Sequence, residues 1–185
     1  MKHQFKHTCL DKDSLLNECD TLNMFMSRLI KQSEENKDNW EPMAYRGDGF
    51  EALVEVLINN SPIDKRINIQ KYEPWNFELH GDDMGVDGIG VSHDGTIHTV
   101  QIKFRSNTQY ELTANEDHIS NFVAKSTTMH LGQIVNMTVF TTAAGLSRQV
   151  SEKMFNNTVR TLGYNDISKM IDNNGAFWDI FRSEM

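Results

Sequence analysis

Asp87-Gly88-Ile89-Gly90-Val91, then Ser92-His93-Asp94-Gly95, then Thr96-Ile97-His98-Thr99-Val100-Gln101-Ile102-Lys103-Phe104 is the stretch on which the reading of this chain turns. Two runs of β-favouring residues flank a Ser-His-Asp-Gly turn, so a β-hairpin is expected over 86–104. Side chains two apart on a strand share a face. Gln101 and Lys103 therefore stand side by side, and Asp87 can face them from the first strand. An acid, an amide oxygen and an amine converging on one sheet face is a donor set for metal-assisted phosphodiester cleavage. The acid holds a divalent cation, and the amine orients water or stabilises charge.

Working outward, Phe50, Leu53, Val54, Leu57 and Ile58 form a helical stripe that starts near Asp48 or Gly49 and is ended by Asn59-Asn60-Ser61-Pro62. Glu51 lies about 100° round from Phe50, beside the apolar face, with Glu55 one turn on. Ahead of this helix, Leu15, Leu16, Cys19, Leu22, Met26, Leu29 and Ile30 predict a single helix over 13–33, capped by Asp13 or Ser14, followed by a polar loop at 33–39. The alternation of Trp75, Phe77 and Leu79 predicts a strand before an acidic turn at 80–85. Beyond the hairpin we expect a helix over 116–129 with Asn115 as its cap and a buried strand over 133–142. A helix over 146–161 stopped by Gly163 and a helical segment over 166–183 broken near Asn173-Asn174-Gly175 complete the chain. The order α-α-β-β-β-α-β-α-α predicts an α/β protein with a mixed central sheet flanked by helices.

Three segments, in order, resemble the PD-(D/E)XK nuclease superfamily in the Gln-x-Lys variant of Mrr-like restriction endonucleases. Tyr45-Arg46-Gly47-Asp48-Gly49-Phe50-Glu51 is similar to the Arg-Gly-x-x-Phe-Glu start of that family's first core helix. Asp83-Met84-Gly85-Val86-Asp87-Gly88 is similar to its Asp-x-Gly-x-Asp-Gly segment, and Val100-Gln101-Ile102-Lys103 to its Val-Gln-x-Lys strand. The match covers roughly the middle third of the chain. The resemblance implies a restriction-endonuclease-like α-β-β-β-α-β core over 41–185, with 1–40 as an N-terminal helical extension. It implies Glu51, Asp87, Gln101 and Lys103 as catalytic residues, and Asp87, Glu51, the Gln101 side chain and the Ile102 carbonyl as ligands of Mg²⁺ or Mn²⁺. Arg46, Arg105 and Gln109 are the candidate substrate contacts, with Tyr110 beside them. The implied partners are DNA and a helicase or other domain of a larger restriction, repair or helicase–nuclease protein.

Each residue has a plainer reading. Asp87 before Gly88 can be a turn aspartate. Gln101 and Lys103 can be polar residues on a solvated strand face, and Glu51 a solvated helix acid with Glu55 as its rival. Gln101 stands where the commoner pattern has Glu; a neutral amide binds a cation less tightly than a carboxylate. Asp82 and Asp83 either hold a second metal or shape their loop. His80, His93, His98, His118 and His130 form no His-x-x-x-His pair, and no phosphate-binding Gly-x-x-x-x-Gly-Lys loop occurs.

The net charge of −8 excludes a non-specific nucleic-acid coat but not a nuclease, since a bound metal and local clusters such as Lys65-Arg66, Lys103 with Arg105, and Arg148 with Lys153 supply positive charge. Acidity also suggests that a larger partner delivers the substrate, and the chain is expected to be a domain of a longer protein. Cys9 and Cys19 are the only cysteines, so neither a zinc ribbon nor a disulfide framework is expected. No apolar run reaches the ~18 residues of a membrane span, and no signal peptide is read at the start. The expected setting is the cytoplasm of a bacterial, phage or viral system. A catalytically silent docking or nucleic-acid-binding module and a dimeric junction resolvase are the alternatives.

Overall fold

The computed structural model describes residues 11–39, 41–60, 67–76, 84–92, 94–129, 135–154, 156 and 158–185, the Lys153 side chain excepted. The elements are α1 (Lys12–Leu16), α2 (Leu22–Glu35), α3 (Pro42–Asn60), β1 (Gln70–Pro74), β2 (Gly88–Val91), β3 (Ile97–Lys103), β4 (Glu111–Leu112), α4 (Ile119–Met129), β5 (Val135–Thr141), β6 (Gly145–Leu146), a π-helical turn (Gln149–Met154), β7 (Val159–Leu162), α5 (Tyr164–Ile171) and α6 (Gly175–Glu184). Five strands form one mixed sheet in the order β1-β2-β3-β5-β7, and β4 pairs with β6 in a small parallel ribbon. β1, β2 and β3 run antiparallel, while β3, β5 and β7 run parallel. The molecule is thus a mixed α/β protein with helices on both faces of a mixed sheet.

The two faces follow the period-2 alternation of β3. Val100, Ile102 and Phe104 enter a core with α2, α3, α5 and α6. Thr99 and Gln101 turn to the other face, where Phe122 of α4 packs with Val86, Met137, Val139 and Val159. The Thr99 hydroxyl donates to Ser126 Oγ of α4 at 2.7 Å, which fixes that helix against the strand. On the first face Phe25, Trp178 and Phe181 make edge and tilted ring contacts at centroid distances of 5.7 to 6.3 Å. Leu15, Leu16, Leu22 and Leu29 are buried in this same core, so the expected N-terminal extension contributes α1 and α2 to the main packing layer.

The expected hairpin is present, with Gly88 opposite Val100 and Val91 opposite Ile97. Other expectations are corrected. The single helix over 13–33 is two helices, because Glu18 takes a left-handed φ of 52° and Thr21 starts α2 by accepting the Met24 N–H. The carbonyls released at this break are recovered by arginine: Arg28 donates to Leu15 and Asn17, and Arg182 to Leu16 and Cys19. Asp11, rather than Asp13 or Ser14, caps α1, and α2 runs on to Glu35. Helix α3 begins at Pro42, not near Asp48, with the Glu41 carboxylate accepting the Ala44 N–H at 2.6 Å. Gly49 continues this helix because Leu29 of α2 occupies the place of its side chain; an added Cβ would lie 2.7 Å from Leu29 Cδ1.

The strand expected at 75–79 lies earlier, at Gln70–Pro74; Phe77 and Leu79 lie outside the described residues. Helix α4 starts at Ile119, after a turn in which His118 adopts φ 58°. The helix expected over 146–161 is replaced by β6, the π-helical turn and β7. Val159–Leu162 joins β5 instead, with Met137 opposite Val159 and Phe140 opposite Leu162. Gly163 then runs tight against the segment after β5: its added Cβ would sit 2.3 Å from the Ala144 carbonyl oxygen. The break between α5 and α6 is where it was expected, with Asn174 capping α6. No helix among the described residues is long and apolar enough to cross a membrane.

Candidate active site

Asp87 sits where β2 parts from β3. Its N–H donates to the Val100 carbonyl at 2.8 Å, and its own carbonyl turns the other way to accept from Trp75 N–H of the β1 exit at 2.9 Å. The next N–H of β3 on that side, from Ile102, is taken by the Asp87 carboxylate, with Oδ2 at 2.5 Å. A strand N–H points along the sheet plane toward its neighbour, so the carboxylate lies in that plane, at the parting of the strands. The Ile102 carbonyl leaves β3 on the same side as its N–H. Gly88 and Gly90 make the bend possible: a Cβ at Gly88 would meet the Tyr72 phenol at 2.3 to 2.4 Å, and one at Gly90 would meet Ile69 Cγ2 at 2.4 Å.

Gln101 stands next along β3, opposite Asp87 by continuation of the Gly88–Val100 register. It is fully buried, and neither its Oε1 nor its Nε2 has a hydrogen-bond partner among the described residues. The amide lies under Gly85, whose φ of 90° only glycine adopts readily; a Cβ there would come within 2.7 Å of Gln101 Nε2. An unsatisfied buried polar group costs about 1–3 kcal/mol, so two on one side chain are kept only for something they meet. Lys103 is half-buried at the end of β3, on the same face two residues on.

Glu51 and Glu55 come from α3, on the other face of the sheet. They are linked to Asp87 through Tyr72 of β1, which is 6 % exposed and whose hydroxyl lies 3.4 Å from the Asp87 carbonyl oxygen. Burial pushes the Tyr72 phenol well above its ordinary range, and the charges of Asp87, Glu55 and Glu51 push it further, in that order. Tyr72 thus remains a neutral donor within electrostatic reach of three carboxylates. Of the two helix acids, Glu55 acts on it more strongly than Glu51. The sequence reading missed Tyr72, although its bulk against Gly88 is what the Asp-Gly-Ile-Gly pattern accommodates.

The candidate substrate contacts are held in place by other residues. Arg46 is 8 % exposed; it donates to Ser33 Oγ at 2.7 Å, reaches Ser106 Oγ at 3.5 Å and pairs with Glu34. It ties α2, α3 and the segment after β3 together. Arg105 donates through Nε to Asp117 at 3.0 Å and pairs with it again through a terminal nitrogen. Asp117 also accepts from Tyr110 and from the Thr113 N–H, so one buried acid organises the approach to the end of β3. No sequence signal marked Asp117. Gln109 is exposed, its N–H held by Asn107 Oδ1 at 2.9 Å. Asp82, Asp83, His80, His93, His130, Lys65, Arg66 and the Lys153 side chain lie outside the described residues. Arg148 pairs with Glu152 on the surface.

Among the described residues no three His, Cys, Asp or Glu side chains are gathered into a metal-binding group. A cation at this place would draw on mixed donors: the Asp87 carboxylate, the orphaned Gln101 amide oxygen, the Ile102 carbonyl and a helix acid. Oxygen-only donors of this kind suit Mg²⁺ or Mn²⁺, and the unpaired Gln101 oxygen fits such a group. Comparison with protein-family models, with curated proteins and with solved structures finds no match to the chain.

Proposed function

We propose that this chain is a metal-dependent DNA endonuclease domain that hydrolyses phosphodiester bonds, built on a restriction-endonuclease-like core of the PD-(D/E)XK type. The observation that carries the reading is the Gln101 amide, buried with both polar atoms unpaired, beside Lys103 and across from Asp87. A solvated strand glutamine has no reason to be placed so. With the two-residue β4 set aside, the element order α3-β1-β2-β3-α4-β5 accords with the α-β-β-β-α-β core that the sequence resemblance implies.

In this reading Asp87, Gln101, the Ile102 carbonyl and Glu51 hold Mg²⁺ or Mn²⁺. When bound, the cation supplies Lewis acidity and an activated water. Asp87 is fixed by the Ile102 N–H, which its Oδ2 accepts. Lys103 presents its ammonium group to the phosphate, where negative charge grows on the non-bridging oxygens in the transition state. Tyr72, kept protonated by its surroundings, donates toward the Asp87 carbonyl oxygen and feels the charges of Asp87, Glu55 and Glu51. Arg105, held by Asp117 and the Phe104 carbonyl at the end of β3, is the proposed contact for a backbone phosphate. The substrate is DNA, the setting a bacterial, phage or viral cytoplasm, and a helicase or other domain of the same protein or complex brings the two together.

The test is incubation of the purified protein with supercoiled plasmid and Mn²⁺, with and without chelator, alongside Asp87→Asn. The isosteric amide retains the acceptor for the Ile102 N–H, so the fold is expected to survive. Metal-dependent nicking by the wild type and none by the folded variant supports the assignment. Equal nicking by both refutes the role of Asp87, and no cleavage by either refutes the nuclease reading.

A further inference from the structure

Beyond the last rung between β3 and β5 the chain is held by side chains. The register ends with Lys103 opposite Thr141. From there the Thr141 hydroxyl donates to the Lys103 carbonyl at 2.8 Å. The Thr142 hydroxyl accepts the Arg105 N–H at 2.6 Å and donates to the Arg105 carbonyl at 2.8 Å. Both threonines are fully buried, so the backbone from Lys103 to Arg105 keeps a fixed path after strand pairing has ended. Phe104 joins the core of Val100 and Ile102, which leaves Gln101, Lys103 and Arg105 in one row on the opposite face.

The head of Arg105 is fixed as well. Nε and one terminal nitrogen both donate to Asp117 Oδ1, the first at 3.0 Å. The other terminal nitrogen donates to the Phe104 carbonyl at 2.7 Å. A guanidinium carries five N–H donors. The three bonds to Asp117 and Phe104 leave one donor on each terminal nitrogen. The Arg105 side chain is 26 % exposed and that of Asp117 1 %. The acid is therefore covered, and the guanidinium is the member of the pair that meets solvent. Asp117 is held in turn: its Oδ2 accepts from the Thr113 N–H at 2.6 Å and from the Tyr110 hydroxyl at 3.2 Å. We propose that Asp117 is a positioning residue, which turns the two remaining donors of Arg105 toward the DNA phosphate next to the one that is cut.

The inference rests on the nuclease reading and deepens it. Two residues of extended chain separate Lys103 from Arg105 by roughly 7 Å, a step comparable to that between successive phosphates of one strand. With the scissile phosphate at Lys103, its neighbour on the same strand comes to Arg105. A phosphate takes two N–H donors of one guanidinium as a bidentate pair, a contact that an ammonium group does not reproduce. Because the side chain is held before DNA arrives, it has little rotamer freedom left to lose on contact. Asp117 also offsets the Arg105 charge at a distance, so the pair acts by geometry at contact rather than by long-range attraction. That suits a chain whose net charge is −8.

The test maps cleavage in Mn²⁺ on end-labelled duplexes that carry a single uncharged methylphosphonate at a known place in the labelled strand. In the wild type, cutting at one of the phosphates flanking the substitution should fall about tenfold or more, as the loss of one charge-assisted contact does. Cuts several steps away in the same duplex are the reference, so the ratio does not depend on how much protein is folded. In Asp117→Asn the amide oxygen can still serve Thr113 and Tyr110, but the amide nitrogen then turned to Arg105 cannot accept. The depression at the flanking cut should shrink to about threefold or less in this variant. Arg105→Lys, which keeps the charge and loses the paired donors, should behave alike. If Asp117→Asn fails to fold, the double variant R105Q/D117N leaves no buried charge unpaired and gives the same comparison. Flanking cuts as frequent as distant ones in the wild type overturn the proposal and leave the nuclease reading standing. A full depression retained in any of the folded variants does the same. No cleavage by the wild type overturns the nuclease reading and the proposal with it.

Discussion

Replacing Gln101 with Met should make the metal-free protein more stable and at the same time remove its response to metal. Met matches Gln in length, so the space under Gly85 stays filled. The exchange removes two buried polar atoms that have no partner among the described residues. At about 1–3 kcal/mol for each orphaned group the relief is roughly 2–6 kcal/mol. Imperfect packing of the thioether takes back up to about 1.5 kcal/mol, leaving a net gain of roughly 0.5–6 kcal/mol. In a chain of this size each kcal/mol moves the melting point by about 2–4 °C. Thermal melts in chelator should therefore place Gln101→Met about 1 °C or more above the wild type. Saturating Mn²⁺ should shift the comparison by about 2.7 kcal/mol in favour of the wild type, the gain from a ligand at a hundred times its Kd, and the variant should gain little. A variant that melts below the wild type in chelator would mean that the amide is satisfied in the free protein. Equal Mn²⁺ shifts in both proteins would mean that Gln101 is not a ligand. Either result refutes the reasoning.

Lys103→Ala should lower single-turnover cleavage on the order of 10²-fold or more while Mn²⁺ affinity, read by calorimetry, stays within a small factor of wild type; cleavage at the wild-type rate would make Lys103 an ordinary strand lysine. His98 titrates below its usual range because of burial, Asp94 opposing and Arg160 adding to the shift. The unfolded chain therefore takes the proton first as pH falls through about 6.5, so stability in phosphate-free buffer should decline from there downward, and His98→Gln should flatten that decline in denaturant titrations at a series of pH values. Gly163→Ala puts a methyl group 2.3 Å from the Ala144 carbonyl oxygen, a backbone atom that cannot rotate aside; a loss of roughly 1–3 kcal/mol is expected from overpacking alone, and an unchanged denaturant midpoint would show that β7 leaves the sheet differently.

The elements that were legible in the sequence are those whose signals are local. The hairpin carries its own alternation and a turn with Gly95 at φ 85°, and the stripe from Phe50 to Ile58 is a property of one segment. The misread elements depend on distant partners. The helix expected to start near Asp48 or Gly49 begins at Pro42 and runs through Gly49, where Leu29, twenty residues earlier, fills the gap. Val159–Leu162 is four residues long and is a strand only because β5 lies beside it. The sequence from Leu146 onward holds enough spaced apolar residues to imitate a helix, and nothing local reveals that the chain spends a π-helical turn and then rejoins the sheet. The break at Glu18 is likewise made tolerable by Arg182, at the far end of the chain.

Within the candidate site the same division holds, and it bears on how the parts work together. Period-2 geometry suffices to put Gln101 beside Lys103, and hairpin pairing suffices to put Asp87 opposite. What period-2 geometry does not contain is the side of the sheet from which the helix acid arrives. Gln101 shares its face with α4, whereas Glu51 and Glu55 belong to α3, which packs against the face of Val100 and Ile102. Two donor groups on opposite faces of a sheet are normally insulated by the backbone between them. Here the insulation fails at one place, because β2 parts from β3 at Asp87 and the carboxylate takes over the Ile102 N–H that a backbone carbonyl would otherwise hold. Asp87 is thereby reachable from both faces, bonded to the strand that carries Gln101 and electrostatically joined, through Tyr72, to the helix acids. Beside the parting, Gly88 and Gly90 leave the room taken by Tyr72 of β1 and by Ile69 just before it, with which a side chain at either position would collide. The glycines of Asp-Gly-Ile-Gly thus make room for Tyr72 and Ile69 against β2, next to the one acid that bonds to the strand carrying Gln101.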